Sequence, residues 1–212
     1  MLNNSIFWTA NAVGLVAFAL VGASKAIREG FDPFGVSVVG LVTAFGGGTT
    51  RDILLVQIPL SLQTLSNIGF GMTGILMAVL LSLTLEIPDQ HPSSIVADAI
   101  GLGAFATAGA IVATDVGVSP FGVVAIATIN AAGGGAFADI LLDRSPFILL
   151  QDFYASCAVL GGFSYWLVSM TIGDGNFAAS SCAVVTFGTR LAAIRYEWEL
   201  PNLREHSYSK YN

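Results

Sequence analysis

The sequence predicts an all-α integral membrane protein, built from two inverted three-helix repeats and a seventh transmembrane helix. First, 54% of its 212 residues are hydrophobic and only 10% are charged, with a mean hydropathy of +0.76. A soluble domain carries about 25% charged residues. Second, residues 14–59 recur as residues 101–146 at a constant offset of 87, with 22 of 46 positions identical. Duplicated units of this kind are common in membrane transport proteins.

Seven apolar segments are long enough to cross a bilayer, which requires about 20 residues. They are residues 6–26, 34–56, 64–86, 93–114, 120–142, 148–171 and 176–194. An offset of 87 accommodates three helices, so the second copy enters the membrane from the opposite side and the repeats are inverted. We therefore expect one transmembrane domain over residues 1–195. It comprises repeat one (6–86), repeat two (93–171) and the extra helix (176–194), and a polar tail follows at 196–212.

The distribution of Lys and Arg predicts how the chain is oriented. With the N-terminus outside, seven of the eight basic residues lie on the cytoplasmic side, and only Arg51 falls on the outer half. Short cytoplasmic loops carry an excess of basic residues. We therefore expect a multi-pass protein of the cell membrane with an outside N-terminus and a cytoplasmic tail. The sequence shows no basic patch that would suit a nucleic acid partner.

Two glycine triplets occupy matching positions in the second and fifth segments, at Gly46, Gly47 and Gly48 and at Gly133, Gly134 and Gly135. Three glycines cost a helix about 1 kcal/mol each relative to alanine, so their place in mid-span needs a reason. One reason is close packing of helices. The other is a break or kink that frees backbone polar groups beside a water-filled path. The second interpretation is favoured, and the first stays open.

Two carboxylates follow the triplets as repeat mates, Asp52 and Asp139. Ionisable groups inside apolar spans usually face the bundle interior or water. The sequence therefore favours a water-filled pathway beside both, with helix capping or pairing to Arg51 as the alternative. Thr43 and its mate Asn130 lie three residues before the triplets and extend the same polar stripe.

Basic and aromatic residues near these positions are candidates for charge control or gating. Lys25 ends the first span, and we interpret it as a snorkelling anchor or as an exposed partner of Glu29 one helical turn on. Phe45 and Phe137 adjoin the glycines and could form a hydrophobic gate, with Arg51 as a further control element.

The sequence gives little support to an enzyme. No Ser/His/Asp, Cys/His or paired-carboxylate constellation is visible, and no group of residues has metal-ligand spacing. We therefore expect neither a catalytic residue nor a metal or cofactor. Cys157 and Cys182 both lie in apolar runs, so we interpret them as buried free thiols.

Two Pro-Phe-Gly-Val plus Gly-Gly-Gly units, together with Lys-Ala-Ile-Arg-Glu-Gly at 25–30, resemble the TRIC family of trimeric intracellular cation channels, in its prokaryotic form. The resemblance covers residues 6–195. It implies a homotrimer in the lipid membrane, with a pore inside each protomer between the second and fifth spans. The pore would pass monovalent cations, mainly potassium, with sodium as a further permeant ion, and a bound lipid is possible. The polar groups that it implies for the pore are Thr49, Thr50, Asp52, Asn130 and Asp139.

One departure from the resemblance and one alternative function remain. Animal members bind a phosphoinositide through Lys-Glu-Val on the fourth span, and the fourth span here ends Ile-Val-Ala-Thr-Asp-Val, so that lipid site is not carried over. The same inverted symmetry also suits a secondary transporter of a small solute such as an amino acid, which is the alternative function.

Overall fold

The computed structural model describes residues 5–84, 91–150, 153–198 and 200. Within this part of the chain the fold is all-helical, as predicted, with seven long helices. They are α1 (Ser5–Arg28), α2 (Pro33–Leu54), α3 (Leu65–Ser82), α4 (Pro92–Val116), α5 (Pro120–Leu141), α6 (Ala155–Thr171) and α7 (Gly175–Arg195). A 3-10 turn at Leu60–Leu62 precedes α3, and a single helical turn at Phe147–Leu150 lies between α5 and α6.

The largest departure from the predicted spans is α6, which was expected to begin at residue 148 and begins instead at Ala155. The apolar run there is divided between the short turn and α6, and Phe153 between them has a φ of 63°. The sequence has two polar residues here, Gln151 and Asp152, but the long apolar stretches on both sides outweigh them in a hydropathy average. The predicted third span ran to residue 86, whereas α3 ends at Ser82, and residues 85 and 86 lie outside the described part.

Five of the seven described helices are long and apolar enough to cross a membrane: α1, α3, α4, α5 and α7. Helix α6 is apolar but has only 17 residues, fewer than the roughly 20 that a bilayer requires. In α2 the glycines and the residues of 49–52 dilute the hydropathy. Of the predicted tail, the structure describes only residues 196–198 and 200.

The two repeats begin their middle helices in the same way. Gly30 and Gly117, 87 residues apart, adopt left-handed φ values of 75° and 80° in the preceding turns, which glycine reaches without steric cost. Asp32 and Ser119 then cap α2 and α5 by accepting hydrogen bonds from the backbone three residues on, and proline fills the first turn of each helix. The repeated Pro-Phe-Gly-Val is therefore a helix-start signal in both copies.

The helices pack as two related groups that meet in the middle. Helix α1 contacts α2, α3 and α4, while α4 contacts α5, α6 and α7. Helix α7 packs against α4 and α6, outside the repeat relationship. The repeats join chiefly through α1 with α4 and α2 with α5. Since α2 and α5 carry the glycine triplets, the triplets lie where the two halves cross.

Candidate functional site

The crossing of α2 and α5 is built on the middle glycine of each triplet. A Cβ on Gly47 would lie 2.2 Å from the carbonyl oxygen of Asn130, and a Cβ on Gly134 would lie 2.0 Å from that of Thr43. The two contacts exchange under the offset of 87, as expected of a two-fold relationship. No side chain fits at either position, so the backbones of the two helices are in direct contact.

The glycine triplets do not interrupt their helices. Helical structure is continuous from Pro33 to Leu54 and from Pro120 to Leu141. A break at the triplets is therefore wrong, whereas a kink within the continuous helices stays a prediction, and the alternative, close packing, describes the middle glycines. The physical reason is that a glycine costs less within a tightly packed crossing than a side chain that would force the helices apart.

The last glycine of each triplet has a different environment. Among the described residues, nothing lies within 4 Å of a Cβ built on Gly135, and the nearest atom to one built on Gly48 is 3.6 Å away. Gly135 and Gly48 each line a cavity, and the two cavities lie on opposite sides of the crossing. Each triplet therefore has two roles. Its middle glycine lets α2 and α5 pack closely, and its last glycine leaves room for a cavity.

The first cavity, the large vestibule, has a volume of about 580 Å³. It opens between the C-terminal ends of α1, α5 and α7 and the N-terminal end of α4. Its polar lining consists of Lys25, Arg28, Thr43, Ser94, Asp98, Asp139, Arg144, Ser145, Tyr154 and Arg190. This chamber has charged walls, is large enough to hold many water molecules, and reaches Thr43 near the helix crossing.

The second cavity, the small vestibule, has a volume of about 20 Å³ and lies between the N-terminal halves of α1 and α3 and the C-terminal half of α2. Its polar lining consists of Asn11, Thr49, Arg51, Asp52, Ser61 and Asn67. Several positions match the large vestibule at the offset of 87: Asn11 with Asp98, Gly48 with Gly135, Asp52 with Asp139 and Asn67 with Tyr154. The two vestibules are therefore formed by equivalent positions of the two inverted repeats and open toward opposite sides of the protein.

An aromatic pair, Phe18 and Phe105, separates the vestibules. The rings meet edge to face with their centroids 5.1 Å apart, and each residue is 2% exposed. Phe18 lines the large vestibule and Phe105 the small one. The two phenylalanines are repeat mates, so this contact pairs equivalent positions of the two repeats and lies close to the axis that relates them. Each ring also covers a glycine of the opposite repeat, Gly101 and Gly14 respectively.

Arg51 fills the small vestibule. Its guanidinium contacts the Asp52 carboxylate at 2.7 Å, donates to the side-chain oxygen of Asn130 at 3.4 Å, and lies 5.9 Å from the centre of the Phe7 ring. The other carboxylate oxygen of Asp52 accepts a hydrogen bond from the Leu60 amide at 2.8 Å. The pairing with Arg51 that was the alternative for Asp52 is thus present, whereas α2 is continuous and contains no restarted helix for Asp52 to cap. The repeat mate of Arg51 is Ala138, so the large vestibule has no counterpart of this side chain.

Asp139 has its basic partner on another helix. The Lys25 ammonium lies 2.8 Å from the carboxylate of Asp139, which joins α1 to α5 across the repeats. Lys25 is therefore turned into the large vestibule, and its interpretation as a snorkelling anchor or an exposed partner of Glu29 is wrong. Glu29 instead contacts Arg28 and Arg144 at the rim of the same vestibule.

A second charged cluster closes the side of the large vestibule. The Tyr154 hydroxyl donates to Asp98 at 2.9 Å, the Arg190 Nε lies 3.7 Å from the other Asp98 oxygen, and the guanidinium stacks 4.7 Å from the Tyr154 ring centre. The matching position in the small vestibule is held by a neutral hydrogen bond of 3.3 Å from Asn11 to Asn67. The large vestibule thus ties α4, α7 and the start of α6 together with charge.

The other predicted residues are placed as follows. Thr43 lines the large vestibule while its hydroxyl donates to the Val39 carbonyl, and Thr49 and Phe45 line the small one. Asn130 bridges Arg51 and the Phe105 carbonyl, to which it donates at 2.5 Å. The Thr50 hydroxyl donates to the Gly46 carbonyl within its own helix.

The two predicted gate residues are separated by the fold. Phe45 borders the small vestibule. Phe137 is 42% exposed on the outer face of α5 and packs over Gly46, outside the lining of the two cavities described here. Both cysteines are buried free thiols, as predicted.

Sequence reasoning missed several residues of the site. Phe18 and Phe105 gave a usable signal, because they are identical aromatic residues at the same place in both copies. Asp98, Tyr154 and Arg190 gave a weaker one, since their partners come from separate segments of the chain.

Comparisons with known proteins agree with this architecture. A family model described as Glycine transporter matches residues 8–85 and 95–170, which is most of both repeats. The UPF0126 membrane protein YvgT of Bacillus subtilis (strain 168) is 33% identical over 193 residues, covering 91% of this chain and 94% of the relative.

Solved structures are also similar. A protein solved to explain conductance through TRIC cation channels has a TM-score of 0.82 and 36% identity, covering 92% of this chain and 96% of its own. The TRIC trimeric intracellular cation channel orthologue from Rhodobacter sphaeroides has a TM-score of 0.81 and 27% identity, covering 92% and 100%. Because these matches extend over both repeats, the chain is a multi-pass membrane protein that belongs to the TRIC family, together with the UPF0126 membrane proteins.

Proposed function

We propose that each protomer conducts monovalent cations, chiefly potassium, along a path that joins the two vestibules. The observation that carries this proposal is the pair of repeat-related cavities on opposite sides of one helix crossing. A path with an entrance at each end and a constriction in the middle is what a channel requires. The similarity to TRIC cation channels supports the same function.

The walls of the path can replace part of a cation's hydration shell. Hydroxyl groups of Thr43 and Ser94 and the carboxylates of Asp98 and Asp139 supply oxygen ligands on the side of the large vestibule. The sequence contains no TVGYG-like carbonyl ladder of the kind that potassium filters use. We therefore expect weak selection among monovalent cations rather than a strict potassium filter.

Conduction through this path requires Arg51 to move. Its guanidinium occupies the small vestibule in the present conformation, which is closed on that side. Asn130 positions the guanidinium, because it links Arg51 to the backbone of α4 at Phe105. Withdrawal of this one side chain would enlarge the small vestibule and leave the Phe18–Phe105 pair as the remaining constriction.

The proposed assembly is a homotrimer in the cell membrane with the N-terminus outside, no enzymatic activity and lipid as its immediate environment. The basic residues support the orientation, because the large vestibule and its arginines then face the cytoplasm. A fluorescent reporter fused after Asn212 should fold and emit, and an alkaline phosphatase fused there should be inactive. An active phosphatase would contradict the orientation.

A secondary transporter is the second candidate. It is favoured by the Glycine transporter description of the family model and by the unequal cavities, since a large chamber on one side and a closed one on the other is the shape of an alternating-access carrier. The charged walls of the large vestibule also offer both signs of charge to a zwitterion such as an amino acid.

Reconstitution separates the two candidates. The purified protein in planar bilayers under a KCl gradient should give unitary currents of picoampere size that reverse near the potassium potential. In liposomes, radioactive glycine should show no saturable uptake above protein-free liposomes. Saturable uptake without unitary currents would reject the channel in favour of the carrier.

A further inference from the structure

Helix α7 occupies beside α4 the place that α3 occupies beside α1. In the first repeat, a Cβ on Gly74 of α3 would collide with the carbonyl oxygen of Val16, so the backbones of α3 and α1 are in direct contact. The repeat mate of Val16 is Gly103 of α4. A Cβ on Gly103 would lie 3.2 Å from the carbonyl oxygen of Ala183, which belongs to α7 and not to α6. The same position of the two repeats therefore contacts a different helix.

Helix α6 faces α7 at the position where α3 faces α1. Gly161 of α6 is the repeat mate of Gly74. A Cβ on Gly161 would collide with the Thr186 hydroxyl of α7 and would lie 3.1 Å from the Cys182 carbonyl oxygen of the same helix. Helix α7 therefore lies between α4 and α6 at this level, where α3 and α1 touch each other directly.

The other contact of the third helix is the same in both repeats. A Cβ on Gly40 of α2 would lie 2.8 Å from Ile75 of α3, and a Cβ on Gly162 of α6 would lie 3.1 Å from Ala127 of α5. These residues are two pairs of repeat mates, Gly40 with Ala127 and Ile75 with Gly162. The repeats thus share the packing of the third helix on the second, and they differ where α7 is inserted.

The side chains of α6 fit a wider space than those of α3. At two buried positions the second repeat carries tyrosine where the first carries a smaller residue, Tyr154 for Asn67 and Tyr165 for Ala78. The Tyr154 hydroxyl reaches Asp98 of α4 at 2.9 Å, and Asn67 makes the matching contact to α1 with its shorter side chain. The insertion of α7 is therefore a second cause of the unequal vestibules, besides the position of Arg51.

From this packing we infer that α7 acts as a spacer that keeps the large vestibule open throughout the functional cycle. The C-terminal end of α7 contributes Arg190 and Ile194 to the wall of that vestibule. To pack as tightly as the first repeat does around the small vestibule, the second repeat would have to bring Gly161 of α6 against Gly103 of α4, and α7 occupies that place.

The spacer limits which movements the two halves can make. An inverted-repeat carrier moves one repeat against the other so that each side closes in turn. Here the second repeat cannot adopt the packing of the first while α7 stays on α4. Opening and closing is then confined to the small vestibule, which deepens the channel function proposed above and rests on it.

The first test compares the accessibility of two repeat mates, Gly48 and Gly135. Each lines one vestibule and has room for a side chain, so each is replaced by cysteine in a background with Cys157→Ala and Cys182→Ala. A hydrophilic methanethiosulfonate reagent is added to the purified protein in lipid nanodiscs, with and without Arg51→Ala. Gly48→Cys should react roughly tenfold faster or more with Arg51→Ala, because reactivity follows the accessible fraction of the protein. Gly135→Cys should react at the same rate in both, within about twofold.

Alternating vestibules would give the opposite result at the second position. A fall of about tenfold in the rate at Gly135→Cys, together with the rise at Gly48→Cys, would overturn the spacer.

The second test fixes α7 to α4 with a disulfide. The Phe187 Cβ lies 3.6 Å from a Cβ built on Gly103, within the range of about 3.5–4.5 Å that a disulfide spans. Gly103→Cys/Phe187→Cys in the same background should therefore cross-link on oxidation, measured as the loss of thiols available to a maleimide polymer in SDS. Single channels of the oxidised protein should keep the unitary conductance and open probability of the reduced protein, which carries the same substitutions and is the matched control.

The outcomes of the second test separate the spacer from the channel function. Currents that disappear or change in open probability on oxidation would show that α7 leaves α4 during the cycle, and would overturn the spacer while leaving the channel function intact. A failure to cross-link would contradict the contact between α4 and α7. The absence of unitary currents from both the unsubstituted protein and the reduced variant would instead contradict the proposed function.

Discussion

The large and small vestibules are built from the same positions of the two repeats, yet one holds about 580 Å³ and the other about 20 Å³. Both have a carboxylate four residues beyond the triplet, an open last glycine and a hydrogen-bonded pair at the side. They differ in which helix carries the basic side chain that neutralises the carboxylate. Lys25 reaches Asp139 from α1, whereas Arg51 is the immediate neighbour of Asp52 on α2.

This difference teaches how an inverted repeat becomes asymmetric. A lysine on the opposite wall neutralises its aspartate and leaves the chamber between them accessible. An arginine beside its aspartate places the guanidinium inside the chamber, where Asn130 and Phe7 hold it. The repeat mates are Val112 for Lys25 and Ala138 for Arg51, so neither charged pair recurs in the other half.

The largest effect should come from the helix crossing, which both vestibules share. Gly134→Ala would place its Cβ 2.0 Å from a backbone carbonyl, so the helices must separate. We expect a loss of about 3 kcal/mol or more in stability, at the upper end of overpacking costs, measured as thermal unfolding in detergent. Gly135→Ala is the control, because its Cβ enters open space and should leave stability within about 0.5 kcal/mol. Equal stability of both variants would contradict the direct backbone contact.

Removal of the arginine should open the small vestibule. In Arg51→Ala the closed conformation loses charge-assisted hydrogen bonds to Asp52 and Asn130, each worth about 1.5 kcal/mol or more. We expect the open probability of single channels to rise by at least tenfold, because a tenfold rise requires only about 1.4 kcal/mol of the interaction energy that is lost.

Two further variants check that interpretation. Arg51→Ala/Asp52→Asn removes the carboxylate that the single change leaves without its guanidinium, and it should keep the high open probability. Lys25→Gln alters the large vestibule, which is already open, and should produce no such increase. An unchanged open probability in Arg51→Ala would show that the guanidinium does not close the path.

The side pairs should differ in strength between the two halves. Tyr154→Phe removes a hydrogen bond to a carboxylate and should cost about 1.5 kcal/mol, whereas Asn11→Ala removes a 3.3 Å neutral bond and should cost about 0.5–1 kcal/mol. Thermal unfolding of both variants in the same detergent measures the difference. A larger loss in Asn11→Ala would reverse the comparison.

The smallest expected effect concerns the charge of the two aspartates. Asp139→Asn should lower the preference for cations over anions about 1.5-fold, because this carboxylate faces the large vestibule beside Lys25 and is screened by water. Reversal potentials under a KCl gradient measure this preference. Lys25→Gln/Asp139→Asn should restore it, since the net charge returns to its original value.

Asp52→Asn should behave differently from Asp139→Asn. Asp52 is 3% exposed and accepts from Arg51 and from the Leu60 amide, so its replacement should reduce stability by about 1–3 kcal/mol. A shift in reversal potential equal to that of Asp139→Asn, at unchanged stability, would show that the two carboxylates are equivalent after all.

Much of the fold follows from local sequence signals. Apolar length predicted the seven helices, and the cap and proline at the starts of α2 and α5 define their first residues to within one position. The duplication predicted that α2 and α5 would be equivalent. The break favoured at the glycines was wrong, because a mid-span triplet is compatible with a broken helix and with a tight crossing, and only the neighbouring helix distinguishes them.

The sequence by itself determined the membrane class, the inverted repeats and the set of polar residues around the triplets. Only the tertiary structure decided which of these residues meet: Lys25 and Asp139 are 114 positions apart, and Arg51 reaches Asn130 over 79. Spacing along a helix defines a shared face over a few turns, but it carries no information about which side chain of a distant helix lies opposite. Which vestibule is open depends on such distant contacts, because a long side chain occupies or vacates a cavity according to the partner that holds its charged end.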